Sequence, residues 1–189
     1  GEHLVLVTGD KPTANQMFLA SELRVVPATG GRSQLLLGTQ NIPSNPVVRM
    51  IDGEETVFFL ANDHRADPSY SVWSVELDGG QRRKVTDNDR SATMMLSADP
   101  RTESGLLLLQ ADHSTLRLYT LEGETGAQEP INVGPLAERG SVLNRPSMAT
   151  TGDIAVSWSA LDTPEEIYRV SAGGEASRLT AFGERFGGR

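Results

Sequence analysis

Two Asp-His pairs come nearest, among the residues of this chain, to a constellation that could do chemistry. Asp63-His64 and Asp112-His113 lie 49 residues apart, and each follows an apolar run. A carboxylate beside an imidazole can help to bind a metal ion or to transfer a proton. The alternative is structural, because an aspartate that opens the loop after a strand can cap the turn through its side chain. We favour the structural interpretation for both pairs.

The other candidates for catalysis or metal binding are weaker. A nucleophilic serine must be held against an oriented base, and the sequence contains no G-x-S-x-G motif. Asp87-Asn88-Asp89 lacks the glycine and the distant glutamate of an EF-hand, so we interpret it as a turn. Cysteine is absent, which excludes disulfides, thiolate metal sites and a cysteine nucleophile. We therefore predict no catalytic residue, no metal site and no cofactor in this chain.

Charge and hydropathy argue against two classes of partner. The net charge is −8 and the pI is near 4.9, whereas nucleic-acid-binding domains carry a basic patch. The triplet Arg82-Arg83-Lys84 is interpreted as a solvated outer strand. No apolar run reaches the roughly 18–20 residues of a membrane span, and no basic segment precedes the first apolar stretch as in a signal peptide. We expect no nucleic-acid or membrane partner and a cytoplasmic location, with the periplasm or secretion left open.

The elements that must position these residues repeat with a period of about fifty. Apolar runs end shortly before an aspartate four times, at steps of 53, 49 and 50 residues: Asp10, Asp63, Asp112 and Asp162. A second strand candidate follows each aspartate and is closed by a glycine, at steps of 49, 44 and 50 residues: Gly30, Gly79, Gly123 and Gly173. Two independent markers thus give the same period, which indicates a repeat architecture.

Each repeat unit resolves into four strands, and the unit with the clearest pattern has them at residues 46–51, 55–61, 71–78 and 81–87. The second strand is a continuous apolar run, which predicts burial on both faces. The third strand alternates and should have one drier face, formed by Trp73, Val75 and Leu77. The fourth strand is polar and charged, as suits an outer edge.

Glycine marks the hairpins between these strands. Asp52-Gly53 fits a tight turn, and Gly79-Gly80 is predicted to supply the positive φ angles of a primed turn. The same pattern of apolar run, Gly-Gly and a threonine behind an aliphatic residue occurs in VWSVELDGGQRRKVTD (72–87) and IYRVSAGGEASRLTAFG (167–183). We interpret each Gly-Gly as the turn between the third and fourth strands.

A four-stranded unit whose second strand is buried on both faces needs a like unit on each side, which is typical of a β-propeller. A β-sandwich would not require a repeat of about fifty residues. We predict an all-β fold, a β-propeller fragment of about four blades with four antiparallel strands each. The blades span approximately residues 1–40, 41–90, 91–135 and 136–183. The large side chains predicted to pack between blades are Phe58, Phe59, Trp73 and Trp158.

The ring of blades is predicted to be incomplete. Only three residues precede Leu4, so the first unit begins at its second strand and lacks the innermost one. Two edges would then be open. We expect them to pair with the remaining propeller blades of a parent protein or with a second copy of this chain.

The segment SWSALDTPEEIYRVSAGGEASRLTAFGE (157–184) resembles the last propeller blade of the prolyl oligopeptidase family of serine peptidases, most closely its acylaminoacyl-peptidase branch. The matching features are a serine-rich strand end, a Thr-Pro-Glu turn, an Ile-Tyr strand, a glycine turn and a Leu-Thr ending, at Ser157, Ser159, Thr163, Pro164, Glu165, Ile167, Tyr168, Gly173, Leu179 and Thr180. The segment SVWSVELDGGQRRKVTD looks like the preceding blades of the same family, which also occur in Tol-system propellers.

This resemblance implies a propeller that caps an α/β-hydrolase domain and admits only short peptides to its Ser-Asp-His triad. No position here matches a residue of that triad, so the chain corresponds to the non-catalytic part. The alternative is a free-standing interaction propeller of the Tol-system or WD-repeat type. A lactonase-type propeller with a central metal is disfavoured, since the inner-strand candidates VVRMI and TMMLS offer no carboxylate or asparagine.

Long polar loops on one rim form the last candidate site. The loops after the second strands and between blades are longer than most turns of the other rim, and propellers place recognition in such loops. We predict that this rim meets the partner domain or lines the substrate entrance through four residues: Asn41, Arg65, Asp67 and Arg139.

Overall fold

The computed structural model describes residues 2–9, 21–38, 44–62, 69–87, 91–112, 115–137 and 142–185, which form four antiparallel sheets. Sheet one contains β1 (His3–Gly9), β2 (Ser21–Pro27) and β3 (Gln34–Leu37). Sheet two contains β4 (Ser44–Ile51), β5 (Glu54–Ala61), β6 (Ser71–Glu76) and β7 (Arg83–Lys84). Sheet three contains β8 (Ser91–Ala98), β9 (Gly105–Asp112), β10 (Thr115–Glu122) and β11 (Gln128–Pro130). Sheet four contains β12 (Val142–Met148), β13 (Ile154–Ala160), β14 (Thr163–Val170) and β15 (Ala176–Arg178).

Helix is confined to two short 3-10 turns, Gly134–Ala137 and Phe182–Arg185, within the described residues. None of these described elements is a helix of the length and apolarity that a membrane crossing requires. In every sheet, strands that are consecutive in the chain are also neighbours in the sheet. Each sheet is therefore a simple meander, as the predicted hairpin turns require.

The four sheets pack face to face in chain order, with an apolar core at each junction. The first strands of sheets two and three, β4 and β8, approach each other at the inner edge, whereas the fourth strands have only two or three residues. Each junction core contains buried side chains from both sheets: Leu23 and Phe59, Phe58 and Leu108, and Leu118 and Trp158. The series of sheets is not closed into a ring. The predicted all-β fold of about four blades in an incomplete ring is thus confirmed.

Burial of the second strand on both faces is confirmed for the middle sheets. In β5 every residue from Thr56 to Ala61 is buried, and in β9 the run from Leu106 to Gln110 is buried as well. In sheet four, β13 buries Val156 but exposes Ala155. The difference follows from position, because an end sheet has a neighbour on one face only.

The prediction of one drier face for the third strand is wrong in sheet two. Val72 and Ser74 of β6 are as fully buried as Val75, and Trp73 is only partly buried. Val72 packs in the core shared with sheet three, while Val75 packs in the core shared with sheet one. A strand covered on both sides can thus still alternate in sequence, because the polar Ser74 is buried as well.

The Gly-Gly hairpin turns of the doublet differ from the prediction that both residues of the turn have positive φ angles. Asp52 and Gly53 both have positive φ (52° and 83°), so the primed turn is confirmed there. In each Gly-Gly turn of the doublet only one glycine does, Gly79 (90°) or Gly174 (87°). Each donates its N–H to the carbonyl three residues earlier, at 3.0 and 2.8 Å. The left-handed residue is the first glycine of one pair and the second of the other, which offsets the two hairpins by one residue.

A threonine ties the fourth strand to the third in both hairpins. The hydroxyl of Thr86 accepts a hydrogen bond from the N–H of Val72 at 2.9 Å, and Thr180 accepts one from Ile167 at 2.9 Å. The amide of the residue before each threonine donates to the carbonyl of the same third-strand residue at 2.8 Å. The recurring Val-Thr and Leu-Thr pairs are therefore anchors for a short outer strand.

Candidate functional site

The four predicted site residues belong to segments that connect strand ends at one edge of the sheets, here called the loop rim. Antiparallel pairing, such as that of Ala61 with Ser71, brings the end of β5 and the start of β6 together at this edge. Segment 63–68 joins β5 to β6, segment 39–43 precedes β4, and segment 138–141 lies between the 3-10 turn Gly134–Ala137 and β12. They contain Asn41, Arg65, Asp67 and Arg139, all of which lie outside the described residues. Their part in a site stays a prediction.

The repeat aspartates are partly described. Asp10, Asp63, His64 and His113 lie outside the described residues. Asp112 ends β9 as a paired strand residue, and Asp162 accepts a hydrogen bond from the hydroxyl of Thr163 at 3.1 Å in the turn after β13. Across the described ranges, no three His, Cys, Asp or Glu side chains are grouped so that they could hold a metal ion.

A groove of about 400 Å³ opens on the outer face of sheet four, and the residues along it include Arg145, Ala155, Ser157, Glu165, Ile167 and Phe182. The hydroxyl of Ser157 donates a hydrogen bond to the carboxylate of Glu165. The one histidine in the described part of the chain, His3, lies 3.6 Å from Glu55 at the junction of sheets one and two. Ser157 is thus held by a carboxylate, and none of the described residues places an imidazole beside it, as a Ser-His-Asp triad requires.

The inner strands of sheets two and four carry the same backbone distortion. Asn45 and Arg145 both have a φ of 48°, each precedes a proline, and each lies at a register shift of its strand. A left-handed residue before proline costs roughly 1–3 kcal/mol, and a bulge redirects the side chains beside it. The distortion brings Arg145 to the border of the groove. The sequence signal for it, an X-Pro pair repeated 100 residues apart at Asn45 and Arg145, was missed by reasoning from repeats alone.

Charged residues at the opposite edge, here called the turn rim, fasten sheet two to sheet three. The buried carboxylate of Asp99 accepts hydrogen bonds from Arg101 at 2.9 and 2.7 Å. Arg49 of sheet two donates to the carbonyl of Asp99 at 3.0 Å and to that of Thr102. Burial alone would raise the pKa of the Asp99 carboxyl, but the hydrogen bonds and charge of Arg101 outweigh it and lower that pKa. This cluster is a structural contact between sheets.

Glu122 performs a similar structural task in the turn after β10. Its carboxylate accepts hydrogen bonds from the amide and hydroxyl of Thr125 at 2.6 and 2.7 Å. Ser104 and the amide of Glu124 donate to the other oxygen at 2.9 and 3.2 Å. Burial alone would raise the pKa of Glu122, but these hydrogen bonds lower it to about 2. The ionised form therefore holds the longer turn that replaces Gly-Gly in the third unit.

The Glu122→Gln variant is expected to lose stability at neutral pH and to converge on the wild type in acid. Because the folded pKa is about 2 and the ordinary value 4.5, the stabilisation is complete above about pH 4.5 and is lost as the pH falls towards 2. At pH 7 we expect a loss of about 1–3 kcal/mol in the free energy of unfolding, reduced by solvent screening of a partly exposed group. Urea unfolding at pH 7, 4 and 2.5 measures it.

The exposed Glu124→Gln variant is the matched control, because only the backbone amide of Glu124 bonds in this turn. Its stability should follow that of the wild type at each pH. A stability gap for Glu122→Gln that stays constant from pH 7 to 2.5 would contradict the assignment.

Comparison with known proteins identifies the architecture. No protein-family profile matches the chain, and no curated protein matches it. Among solved structures, an oligogalacturonate lyase in complex with manganese has a TM-score of 0.72 at 17% identity, over 95% of this chain and 50% of that chain. A puromycin-hydrolyzing peptidase from Mycobacterium tuberculosis has a TM-score of 0.70 at 16% identity, over 94% of this chain and 27% of that chain. A putative TolB from Agrobacterium tumefaciens has a TM-score of 0.69 at 15% identity, over 95% of this chain and 61% of that chain.

The chain has a β-propeller fold. It spans 50% of the lyase, 27% of the peptidase and 61% of the TolB protein. At these identities the likeness establishes the fold and leaves the activity open. The resemblance seen in the sequence, to propellers of the prolyl oligopeptidase family and of the Tol system, is confirmed at the level of the fold.

Proposed function

We propose that this chain is the non-catalytic propeller of a serine peptidase of the prolyl oligopeptidase type, similar to the acylaminoacyl-peptidase branch. The observation that carries the proposal is the segment 157–184, whose family-like residues lie in β13, in β14 and on either side of β15 in sheet four. A propeller fold shared with a puromycin-hydrolyzing peptidase supports it. The chain would control which peptides reach the active site, while a separate α/β-hydrolase domain would carry the nucleophile.

The role proposed for the propeller is to admit short peptides and exclude long or folded ones. The three buried junction cores support this role, because sheets joined by such cores do not separate readily to admit a long or folded chain. Such a filter requires no catalytic residue in the propeller, in keeping with the absence of a G-x-S-x-G motif. We further propose a cytoplasmic location, which the absence of cysteine accommodates.

Charge reversal on the loop rim tests this role. The variants Arg65→Glu and Arg139→Glu are expected to weaken docking of the hydrolase or turnover of short chromogenic peptides by the native protein by about tenfold, as loss of a rim ion pair would. Arg32→Glu, an exposed position in the β2–β3 turn at the turn rim, is the matched control. Steady-state kinetics on a short peptide and on a long peptide containing the same cleaved bond give the readout. Unchanged docking and unchanged selectivity for length would refute the gating role.

A second candidate is a free-standing protein-interaction propeller of the Tol-system or WD-repeat type. The observation that favours it is the TolB match, whose TM-score is within 0.01 of that of the peptidase. This alternative predicts no hydrolase partner and a loop rim that binds another protein directly.

A further inference from the structure

A cleft of about 210 Å³ lies between the ends of sheets three and four at the turn rim, and is here called the turn-rim cleft. Its polar lining includes Arg101, Thr120 and Asn132 from sheet three and Ser171 from sheet four. Ile154, which belongs to the core that these two sheets share, also lines it. The cleft is therefore formed by the faces that two neighbouring sheets turn towards each other.

Arg101 reaches the turn-rim cleft with part of its guanidinium unused. Its Nε and Nη2 donate to the carboxylate of Asp99 at 2.9 and 2.7 Å. Its Nη1 lies 3.7 Å from the position that a Cβ on Gly152 would take, so the guanidinium extends from sheet three to the turn between β12 and β13. No described residue accepts a hydrogen bond from Nη1. An arginine in this state can still donate to a ligand.

Asn132 and Ser171 bring two further donors to the same cleft. The Oδ1 of Asn132 accepts a hydrogen bond from the N–H of Gly134 at 2.9 Å, which leaves Nδ2 as a donor. Nδ2 lies 2.7 Å from the position that a Cβ on Gly174 would take, so the glycine lets the amide approach sheet four. The Oγ of Ser171 accepts from the N–H of Glu175 at 3.1 Å, which leaves its hydroxyl proton for another acceptor.

The charges around the cleft favour an anion, although the net charge of the chain is −8. None of the described residues that line the cleft is an aspartate or a glutamate. Two carboxylates bond to lining residues, Asp99 to Arg101 and Asp153 to the amide of Ala172. Each is paired with a guanidinium at 2.7 Å, and the partner of Asp153 is Arg169. Donors gathered without an unpaired carboxylate match a negatively charged acceptor.

We propose that the turn-rim cleft binds a carboxylate through Nη1 of Arg101, the side-chain amide of Asn132 and the hydroxyl of Ser171. A guanidinium presents its N–H groups in the plane that a carboxylate requires. Because Asp99 already balances the charge of Arg101, the site suits a singly charged carboxylate better than a phosphate dianion. The cleft has room for a small organic acid or the end of a peptide, and both present the same group.

Titration of the isotope-labelled protein with N-acetylglycine, followed by NMR, tests the proposal. We expect a dissociation constant of about 1–10 mM, with shifts at the amides of Gly152 and Ala172 and at the side-chain amide of Asn132. N-acetylglycinamide, which lacks the charge, should cause no such shifts, and phosphate should bind more weakly. Acetate separates the two sources of the group. Tighter binding of N-acetylglycine than of acetate assigns the site to peptide ends, and equal binding assigns it to small acids.

The Asn132→Asp variant keeps the acceptor for Gly134 but replaces the donor by a charged oxygen, so binding should weaken by about tenfold or more. Asn144→Asp is the matched control, because Oδ1 of Asn144 likewise accepts a backbone N–H, that of Arg145, outside the cleft. It should bind as the wild type does, and thermal unfolding should show that both variants fold.

No shift with N-acetylglycine, equal shifts with N-acetylglycinamide, tighter binding of phosphate, or undiminished binding by Asn132→Asp would overturn the proposal. The readout is binding at one cleft, so its failure is distinct from failure of the peptidase proposal.

Discussion

Replacing Phe58 with alanine is expected to lower the free energy of unfolding by about 3–5 kcal/mol. The ring is fully buried and packs with Leu106 and Leu108 of sheet three, so its removal leaves a cavity at the junction of two sheets. A domain of this size is stable by only about 5–15 kcal/mol. The variant should therefore be partly unfolded under conditions in which the wild type is native.

The matched control for Phe58→Ala is Val48→Ala on the neighbouring strand β4, where Val48 is 37% exposed. Its expected effect is within about 0.5 kcal/mol, since surface substitutions rarely cost more. Urea unfolding at neutral pH, followed by circular dichroism, compares the two. Equal midpoints for the two variants would contradict the description of the junction core.

Replacing Gly123 with alanine is expected to destabilise the chain by about 1–3 kcal/mol or more. A Cβ at this position would lie 2.7 Å from Cζ of Phe58 and 2.7 Å from the carbonyl oxygen of Ser104. A backbone carbonyl cannot move aside at low cost, and the Phe58 ring is held on all sides. Gly123 does not have a positive φ angle. Glycine is therefore required here because the Phe58 ring and the Ser104 carbonyl approach its Cα closely.

Gly173 provides the control because it is the repeat glycine of the next unit and lies in the turn after β14. A Cβ there would meet only the hydroxyl oxygen of Ser171 at 3.7 Å, and Gly173 does not have positive φ either. Gly173→Ala should change the free energy of unfolding by less than about 1 kcal/mol. Thermal unfolding of the two alanine variants and the wild type, measured in parallel, compares them. If both alanine variants unfold at the same temperature, the steric role of Gly123 is wrong.

The architecture could be predicted from the sequence because its causes are local or periodic. An unbroken apolar run such as residues 57–60 has one natural environment, between two sheets. Asp52-Gly53 specifies its turn within two residues. Repetition of the apolar runs, and of the glycines that close the strand after each run, at a step of about fifty leaves few arrangements other than stacked sheets.

Other features depend on distant parts of the chain and could not be predicted. Gly123 is needed because Phe58, 65 residues earlier, approaches its backbone. Arg83, interpreted as a solvated strand residue, donates to the carbonyl of Gly123 in the next sheet at 2.8 Å. Arg49 likewise bonds carbonyls of sheet three. Such contacts are decided by how neighbouring sheets pack, which no local pattern encodes.

The sequence predicts the candidate site only at the level of segments, and that site stays a prediction. The connections between strand ends place Asn41, Arg65, Asp67 and Arg139 in loop-rim segments. These segments show no periodic pattern in the sequence, so sequence alone does not determine what their side chains contact. The positive φ of Arg145 has a local cause, because Arg145 precedes a proline and lies at a bulge. A feature of this kind can be found in the sequence.

The measurement that tests the central claim most directly is fluorophosphonate labelling of the native protein that carries this sequence, followed by intact mass spectrometry. A propeller that serves a serine peptidase predicts a covalent adduct on a nucleophilic serine of a hydrolase that contains this sequence or copurifies with it. The adduct should be absent from residues 1–189 themselves. Native protein that takes up no label, alone or with its partners, would contradict the peptidase role and favour an interaction propeller.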